Sequence, residues 1–299
     1  MITLTHTTAT QFRNCRRRWW YRNVKRLVPR YAGEARGIGY AVHKGIELGD
    51  VEAGVAALGD RPVFDQEDYD QLELARATVR AMLTGYFRRF EPLPNYRAEQ
   101  KFNISIINPK TRRPSRTFRL AGRVDGLCTI GGQEFLVEYK TVSQLGPAQI
   151  GLLPMDGQVT AYMYALQRAL GIRIAGAVYR FLRKPSIRRR QGETAEQFRE
   201  RLVSDYLERP DWYFREELVY RSQEDLDRFE QELWDLTQDM LHARRRGLYY
   251  RNTSRCYDYG GCEYLPLCRG DHEAELFFVT EPPNSELREG DDVGEAHPA

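Results

Sequence analysis

The stretch that decides the fold is Gly122-Arg-Val-Asp-Gly-Leu-Cys-Thr-Ile-Gly-Gly-Gln-Glu-Phe-Leu-Val-Glu-Tyr-Lys-Thr141. On both sides of Gly131-Gly132, apolar and polar residues alternate with the period of two that is typical of β-strands. The two glycines supply the positive-φ residues that a tight hairpin turn needs. Residues two apart in a strand share a face, so Glu138 and Lys140 point the same way. The sequence therefore predicts a β-hairpin with charged residues on one face.

Asp125 lies in the first arm of this hairpin, at a distance from the turn that brings it opposite the second arm. Two carboxylates and one ammonium on one patch form a compact site for a hard divalent cation. Lys140 is informative because only six of the 45 basic residues are Lys, and the pKa of Lys can move whereas Arg stays charged. An isolated Glu-x-Lys pattern also fits a charged pair on a solvated sheet face, so the assignment depends on the motifs around it.

The order strand, hairpin, helix, strand predicts an α/β fold with a mixed central sheet flanked by helices. We expect a single domain over residues 1–270. It divides into an N-terminal helical part at 8–90, a core at 95–185, and C-terminal helices with a cysteine loop at 194–270. From Asp271 onward nine acidic residues face Arg288 alone, which predicts an acidic, disordered tail over 271–299.

The net charge of +3 is unevenly distributed along the 299 residues. Without the acidic tail, residues 1–270 carry +11, and a basic body suits a polyanionic partner such as DNA. The sequence shows neither a signal peptide nor an apolar run long enough to cross a membrane. We therefore expect a soluble, cytoplasmic protein without a membrane partner.

Two helical motifs place polar side chains four residues apart, and therefore on one helix face. The first motif is Gly39, His43 and Glu47, in which the glycine permits a close approach to another backbone. The second is Gln158 and Tyr162. A lone helical His is more often structural than functional, so the motif gains meaning only together with the hairpin.

Three of the five cysteines, Cys256, Cys262 and Cys268, lie in one short loop with five residues in each gap. An odd number of cysteines in a chain of this type argues against a disulfide framework, and the crowding of three of them into one loop argues for a metal. Cys15 or Cys128 can supply a fourth thiolate. Cys128 stands where the strand needs a small buried residue, so Cys15 is the preferred ligand. Four thiolates suit an iron–sulfur cluster or Zn²⁺, and spacing alone separates these two poorly.

Taken in order, these motifs resemble the RecB-like branch of the PD-(D/E)XK nucleases over residues 8–270. They are most similar to its iron–sulfur members, which include the CRISPR-associated adaptation nuclease, helicase–nuclease subunits and phage exonucleases. The resemblance implies a restriction-endonuclease-like fold and a metal-dependent exonuclease that acts on single-stranded or end-frayed DNA. The chain contains no helicase P-loop, so it would act alone or with a helicase, recombination or CRISPR partner.

The resemblance also implies roles for individual residues. Lys140 orients or activates the attacking water and offsets charge on the phosphate. The residues that bind Mg²⁺ or Mn²⁺ are His43, Asp125, Glu138 and the Tyr139 carbonyl, and the imidazole favours Mn²⁺ somewhat. Gln158 and Tyr162 hold DNA or brace the site. A [4Fe–4S] cluster joins the N-terminal helix to the C-terminal loop through Cys15, Cys256, Cys262 and Cys268.

Two other functions fit parts of the sequence. A non-catalytic DNA-binding subunit would keep the nuclease fold, and its sequence signature would be loss of Asp125, Glu138 or Lys140. A redox or zinc protein would use the cysteines as its functional centre. The presence of all three charged residues favours a nuclease over both alternatives.

Overall fold

The computed structural model describes residues 1–30, 35–59, 65–258, 261–282, 284 and 287. The strands are β1 (Ile2–Leu4), β2 (Leu27–Pro29), β3 (Arg97–Ile107), β4 (Pro114–Ile130), β5 (Gln133–Val142), β6 (Ile174–Arg183), β7 (Phe214–Val219) and β8 (Phe278–Thr280). The helices are α1 (His6–Asn14), α2 (Arg16–Trp19), α3 (Ala35–Leu48), α4 (Val51–Ala56), α5 (Gln66–Arg89), α6 (Pro147–Leu152), α7 (Gly157–Leu170), α8 (Ala195–Glu208), α9 (Pro210–Tyr213), α10 (Gln223–Arg246) and α11 (Leu265–Arg269).

Six strands form the central sheet, in the order β1-β4-β5-β6-β7, with β3 also paired to β4. The β1/β4 and β5/β6 pairs are parallel, whereas β3/β4, β4/β5 and β6/β7 are antiparallel. The sheet is therefore mixed, as predicted. Strand β4 is its centre, because it pairs with three other strands along its 17 residues.

The predicted hairpin is confirmed as β4 and β5, which turn at Gly131 and Gly132 with φ of 57° and 77°. An L-residue with a side chain rarely adopts two successive positive φ angles, so the glycine pair fixes the turn. This turn also fixes the register of β4 with β5, in which Gly126 lies opposite Val137. That register determines which polar residues of the two strands come level with each other.

Helices cover both faces of the sheet, and each face has its own apolar core. Leu120, Leu136 and Val159 belong to the core beneath α7 and α10. Val137, Val178 and Met82 belong to the opposite core, beneath α3, α5 and α8. Alternate residues of β5 thus enter opposite cores, as the period of two requires. The prediction of a mixed sheet flanked by helices is confirmed.

The N-terminal region differs from the predicted helical part at 8–90. Strand β1 precedes it and adds to the central sheet, and its first helical segment is interrupted at Cys15, whose φ and ψ of −158° and 111° are extended. Cys15 therefore lies in a kink between α1 and α2 and not on a helix face. Strand β7 also joins the sheet from outside the predicted core at 95–185.

The predicted disordered tail at 271–299 begins with ordered structure. Residues Ala274–Phe277 form a 3₁₀ turn, and β8 follows as the antiparallel partner of β2. This pairing fastens the end of the cysteine region to the segment after α2. Most of the tail beyond Pro282 lies outside the described residues.

Among the described residues, no helix combines the length and the apolar character that crossing a membrane requires.

Candidate active site

Asp125 lies where β4 has a strand partner on one edge only. Its pairing with β1 ends at Leu120, and its pairing with β5 begins at Gly126. The carboxylate turns toward β5, where Oδ2 accepts a hydrogen bond from the Tyr139 backbone N–H at 2.7 Å. The hairpin register therefore brings Asp125 level with the Glu138-Tyr139-Lys140 segment, as the sequence predicted.

His43 reaches the same carboxylate from α3. Its Nδ1 lies 3.0 Å from the other Asp125 oxygen, Oδ1. Burial lowers the pKa of His43, but the charge of Asp125 and this hydrogen bond outweigh that effect and raise it overall. Helix α3 comes close to β5 because residue 39 is glycine, where an added Cβ would lie 3.1 Å from Thr141 Oγ1. Glu47, on the same helix, pairs with Lys44 at 2.6 Å.

Glu138 is the most buried charged group of the site, at 4% exposure. Burial raises its pKa well above 4.5, and the nearby Asp125 charge raises it further, while Lys140 opposes both. One Glu138 oxygen, Oε1, accepts a hydrogen bond from Gln158 Nε2 at 2.7 Å, and the same nitrogen donates to Tyr162 Oη at 3.3 Å. Gln158 and Tyr162 lie four residues apart on α7. Gln158 contacts Glu138 directly, and Tyr162 is joined to it through Gln158.

Lys140 is exposed and follows Glu138 by two positions on β5. It therefore extends from the same face of the strand into solvent, where a phosphate can reach it. The structure thus brings His43, Asp125, Glu138, Lys140 and Gln158 to one place.

Two further residues at this place were not singled out from the sequence. Tyr96 donates from its hydroxyl to the Asp125 backbone carbonyl at 2.9 Å, and its ring packs where a Gly126 side chain would stand, 2.3 Å from an added Cβ. His6, at the start of α1, lies within electrostatic reach of Lys140 and Asp156. The glycine that follows Asp125 indicates that another side chain packs closely against this point of the strand. No local sequence pattern identifies that side chain as Tyr96.

The cysteine region forms a second site, away from the hairpin. One small cavity is lined by Cys15, Cys256, Cys262 and Cys268, and also by Arg18. Asn252 joins the two chain segments, because its backbone N–H donates to Cys15 Sγ at 3.4 Å and its side-chain nitrogen donates to the Asn14 carbonyl at 2.8 Å. Cys128 is fully buried elsewhere, in the core beneath α3 and α5. The preference for Cys15 over Cys128 thus agrees with which thiols lie together.

Within the described parts of the chain, no three His, Cys, Asp or Glu side chains are grouped closely enough to hold a metal ion as they stand. The chemistry of the residues nevertheless fits two different groups. A divalent cation fits Asp125 and Glu138, because it would remove the repulsion that raises the pKa of Glu138. An anionic thiolate cluster fits the cysteine cavity, because Arg17 Nε and Arg18 Nε are buried near it and have no hydrogen-bond acceptor among the residues that the structure describes.

Comparison with known proteins gives one family. The family model described as the PD-(D/E)XK nuclease superfamily matches residues 3–269. Twelve chains of solved structures also match. One is the crystal structure of SSO0001, with 18% identity over 69% of this chain and 75% of that chain and a TM-score of 0.27, a level of similarity that supports no conclusion. No curated protein matches the sequence.

The family match covers nearly the whole chain, and the mixed sheet between helices is consistent with a restriction-endonuclease-like fold. The chain therefore belongs to the PD-(D/E)XK nuclease superfamily.

Proposed function

We propose that the chain is a divalent-metal-dependent DNA exonuclease of the RecB-like branch, acting on single-stranded or end-frayed DNA. The observation that carries this proposal is the pairing of buried Glu138 with Asp125, beside an exposed Lys140 on the same strand. Burial and the like charge of Asp125 disfavour the ionised form of Glu138, so this carboxylate costs the fold free energy. A purely structural role therefore does not explain a carboxylate at this position. A superfamily nuclease requires both carboxylates.

The residues of the site have separable tasks in this proposal. Asp125, Glu138 and His43 would hold Mg²⁺ or Mn²⁺, together with the Tyr139 carbonyl. A bound divalent cation would supply positive charge beside the phosphate and make water a better nucleophile. The exposed ammonium of Lys140 orients the attacking water and offsets the charge that develops on the phosphate. Gln158 holds the Glu138 carboxylate in place through its 2.7 Å hydrogen bond.

The test is degradation of DNA labelled at either end, as single and double strands, in Mn²⁺, Mg²⁺ or EDTA. We expect metal-dependent loss of label that falls by about 10²–10³-fold in Lys140→Ala, because one preorganised charge at the phosphate is removed. Lys110→Ala, in the exposed loop between β3 and β4, is the matched control. Cleavage in EDTA, or equal rates for wild type and Lys140→Ala, would refute the assignment.

A non-catalytic DNA-binding subunit is the second candidate. The observation that favours it is that the described side chains do not group around a metal position. Such a subunit would bind DNA and leave it intact in every metal, and Lys140→Ala would then change binding alone.

The cysteine cavity is proposed to hold a [4Fe–4S] cluster, with Zn²⁺ as the alternative. Support comes from the four thiols that line one cavity and from the unpaired N–H groups of Arg17 and Arg18. Visible absorbance together with iron, sulfide and zinc analysis separates the two. We expect Cys268→Ser to lose the bound metal and Cys128→Ser to keep it. Retention of metal by Cys268→Ser would place the metal elsewhere.

A further inference from the structure

A surface of arginines and one exposed tyrosine borders the cysteine region, at the junction of α1, α2 and the end of α10. We call it the Tyr250 face, and it comprises Arg16, Arg244, Tyr250 and Arg251. Tyr250 is 52% exposed, and the Arg16 guanidinium lies 4.7 Å from the centre of its ring. The Arg17 backbone N–H donates to the Tyr250 carbonyl at 3.1 Å, which fixes the tyrosine against α2.

Aromatic packing anchors the backbone just before Tyr250. The preceding residue, Tyr249, is 7% exposed and stacks on both Trp19 and Trp20, with centroid distances of 6.0 and 6.1 Å. Arg17 lies over Trp20 at 5.2 Å. Tyr250 is thus presented to solvent by a buried aromatic base, and a rigid ring loses little entropy when another ring stacks on it.

The charges of this face are largely uncompensated. Arg16 pairs with Asp239 at 2.8 Å, but Arg244 and Arg251 have no acidic side chain at ion-pair distance among the described residues. Elsewhere on the surface, arginines such as Arg80, Arg89, Arg209 and Arg228 each pair with a carboxylate. The Tyr250 face therefore presents positive charge that is available to an anion.

Helix α1 connects this face to the candidate active site. His6 begins the helix, and its Nε2 lies 3.5 Å from where a Cβ on Gly157 would stand, beside Gln158 of the site. Arg13 lies in the last turn of the same helix, and Arg16 follows it in α2. Nine helical residues extend about 13 Å at roughly 1.5 Å per residue. An oligonucleotide much longer than this distance can therefore contact both ends of α1.

From this arrangement we infer that the Tyr250 face binds a single DNA strand beyond the candidate active site, with a base stacked on Tyr250 and phosphates on the arginines. The inference rests on the proposed nuclease function. A single strand is favoured over a duplex because the bases of a duplex already stack on each other, whereas a free strand offers a π-face for an exposed aromatic ring. The face thereby sets which DNA, and how long a stretch of it, the protein holds during cleavage.

The experiment measures the affinity of fluorescein-labelled oligo-dT for the purified full-length protein in EDTA, so that binding is read without cleavage. We expect Tyr250→Ala to weaken binding of a 20-mer about tenfold, the loss of one stacked base, and Tyr250→Phe to retain it. Tyr220→Ala is the matched control, since Tyr220 is 58% exposed on another part of the fold.

The arginines are tested through salt dependence. Arg251→Ala should lower the slope of log affinity against log salt concentration by about 0.7, one phosphate contact with a single strand. Arg88→Ala, an exposed arginine on α5, should leave the slope unchanged. Equal 20-mer affinities for wild type, Tyr250→Ala and Tyr220→Ala would overturn the inference, as would a larger effect of Tyr250→Ala on duplex than on single-stranded DNA.

These outcomes separate the inference from the proposed function. Suppose that cleavage proceeds normally and Tyr250→Ala binds DNA like wild type. This result would refute the DNA-binding role of the Tyr250 face and would leave the proposed nuclease function unaffected. If binding depends on Tyr250 but no metal supports cleavage, the result would support the DNA-binding role of the Tyr250 face and refute the proposed nuclease function.

Discussion

Replacing Glu138 with Gln should make the metal-free protein more stable and the metal-loaded protein less stable than wild type. Glu138 is 4% exposed, and burial together with the Asp125 charge raises its pKa well above 4.5. The ionised side chain therefore works against folding until a cation neutralises the site. Gln has nearly the same shape and can still accept the hydrogen bond from Gln158, but it carries no charge.

The sign of the pH dependence follows from the raised pKa. Below about pH 4.5, Glu138 is protonated in the folded and in the unfolded chain. As the pH rises above this value, the unfolded side chain ionises first, so the unfolded state binds fewer protons and the free energy of unfolding falls. This loss continues until the pH passes the raised pKa of the folded state. Glu138→Gln removes this contribution, so the stability difference between variant and wild type grows from pH 5 toward neutral pH.

The magnitude combines two opposing effects. The charge-assisted hydrogen bond from Gln158 becomes neutral, which costs about 1 kcal/mol. Removal of a buried charge relieves several kcal/mol, part of which Lys140 already offsets. We expect a net gain of about 1–2 kcal/mol without metal, or about 2–4 °C in Tm. Mn²⁺ at a hundredfold its Kd should stabilise wild type by about 2.7 kcal/mol and the variant far less, which reverses their order.

The assay is thermal unfolding of wild type and variant from about pH 5 to pH 9, in EDTA and in Mn²⁺. Glu134→Gln is the matched control on the same strand; Glu134 is 23% exposed and pairs with Arg97 at 2.5 Å. We expect the control to keep the wild-type Mn²⁺ shift. The reasoning is refuted if the stability difference between Glu138→Gln and wild type does not change with pH, or if Mn²⁺ stabilises both proteins equally.

Three further predictions concern the residues around the site and the packing of α7 against α10. Gln158→Ala frees the Glu138 carboxylate, so the Mn²⁺ concentration for half-maximal cleavage should rise about 10–100-fold, as measured by metal titration of the nuclease assay. Tyr96→Phe removes the 2.9 Å hydrogen bond to the Asp125 carbonyl, and urea unfolding should show a loss of about 1 kcal/mol. Glu230→Ala leaves Arg168 and the Tyr164 hydroxyl without their shared carboxylate. It should lower the free energy of unfolding by about 1–3 kcal/mol, mainly because the buried Tyr164 hydroxyl loses its acceptor, while the cleavage rate of the folded protein stays unchanged because Glu230 does not contact the site.

The sequence by itself determined the elements whose signals are local. The period of two around Gly131-Gly132 set the hairpin, and the hairpin set the shared face of Glu138 and Lys140. Ser222, a residue type that favours helix starts, precedes α10 and accepts the capping hydrogen bond from the Asp225 backbone N–H at 3.1 Å. Such features depend on neighbours a few residues away, so alternation, glycine pairs and capping residues are sufficient to predict them.

The tertiary structure alone decided which distant residues meet. His43 and Asp125 are 82 positions apart, and their contact requires α3 to pack close to β5 at Gly39. The addition of β1 to β4, the kink at Cys15 and the pairing of β2 with β8 likewise carry no local pattern. Their free energy comes from burial and hydrogen bonding between segments that are far apart in sequence. Alternation and capping describe only near neighbours, so they predicted the polar residues of the site but not the tyrosine and histidine that complete its surroundings.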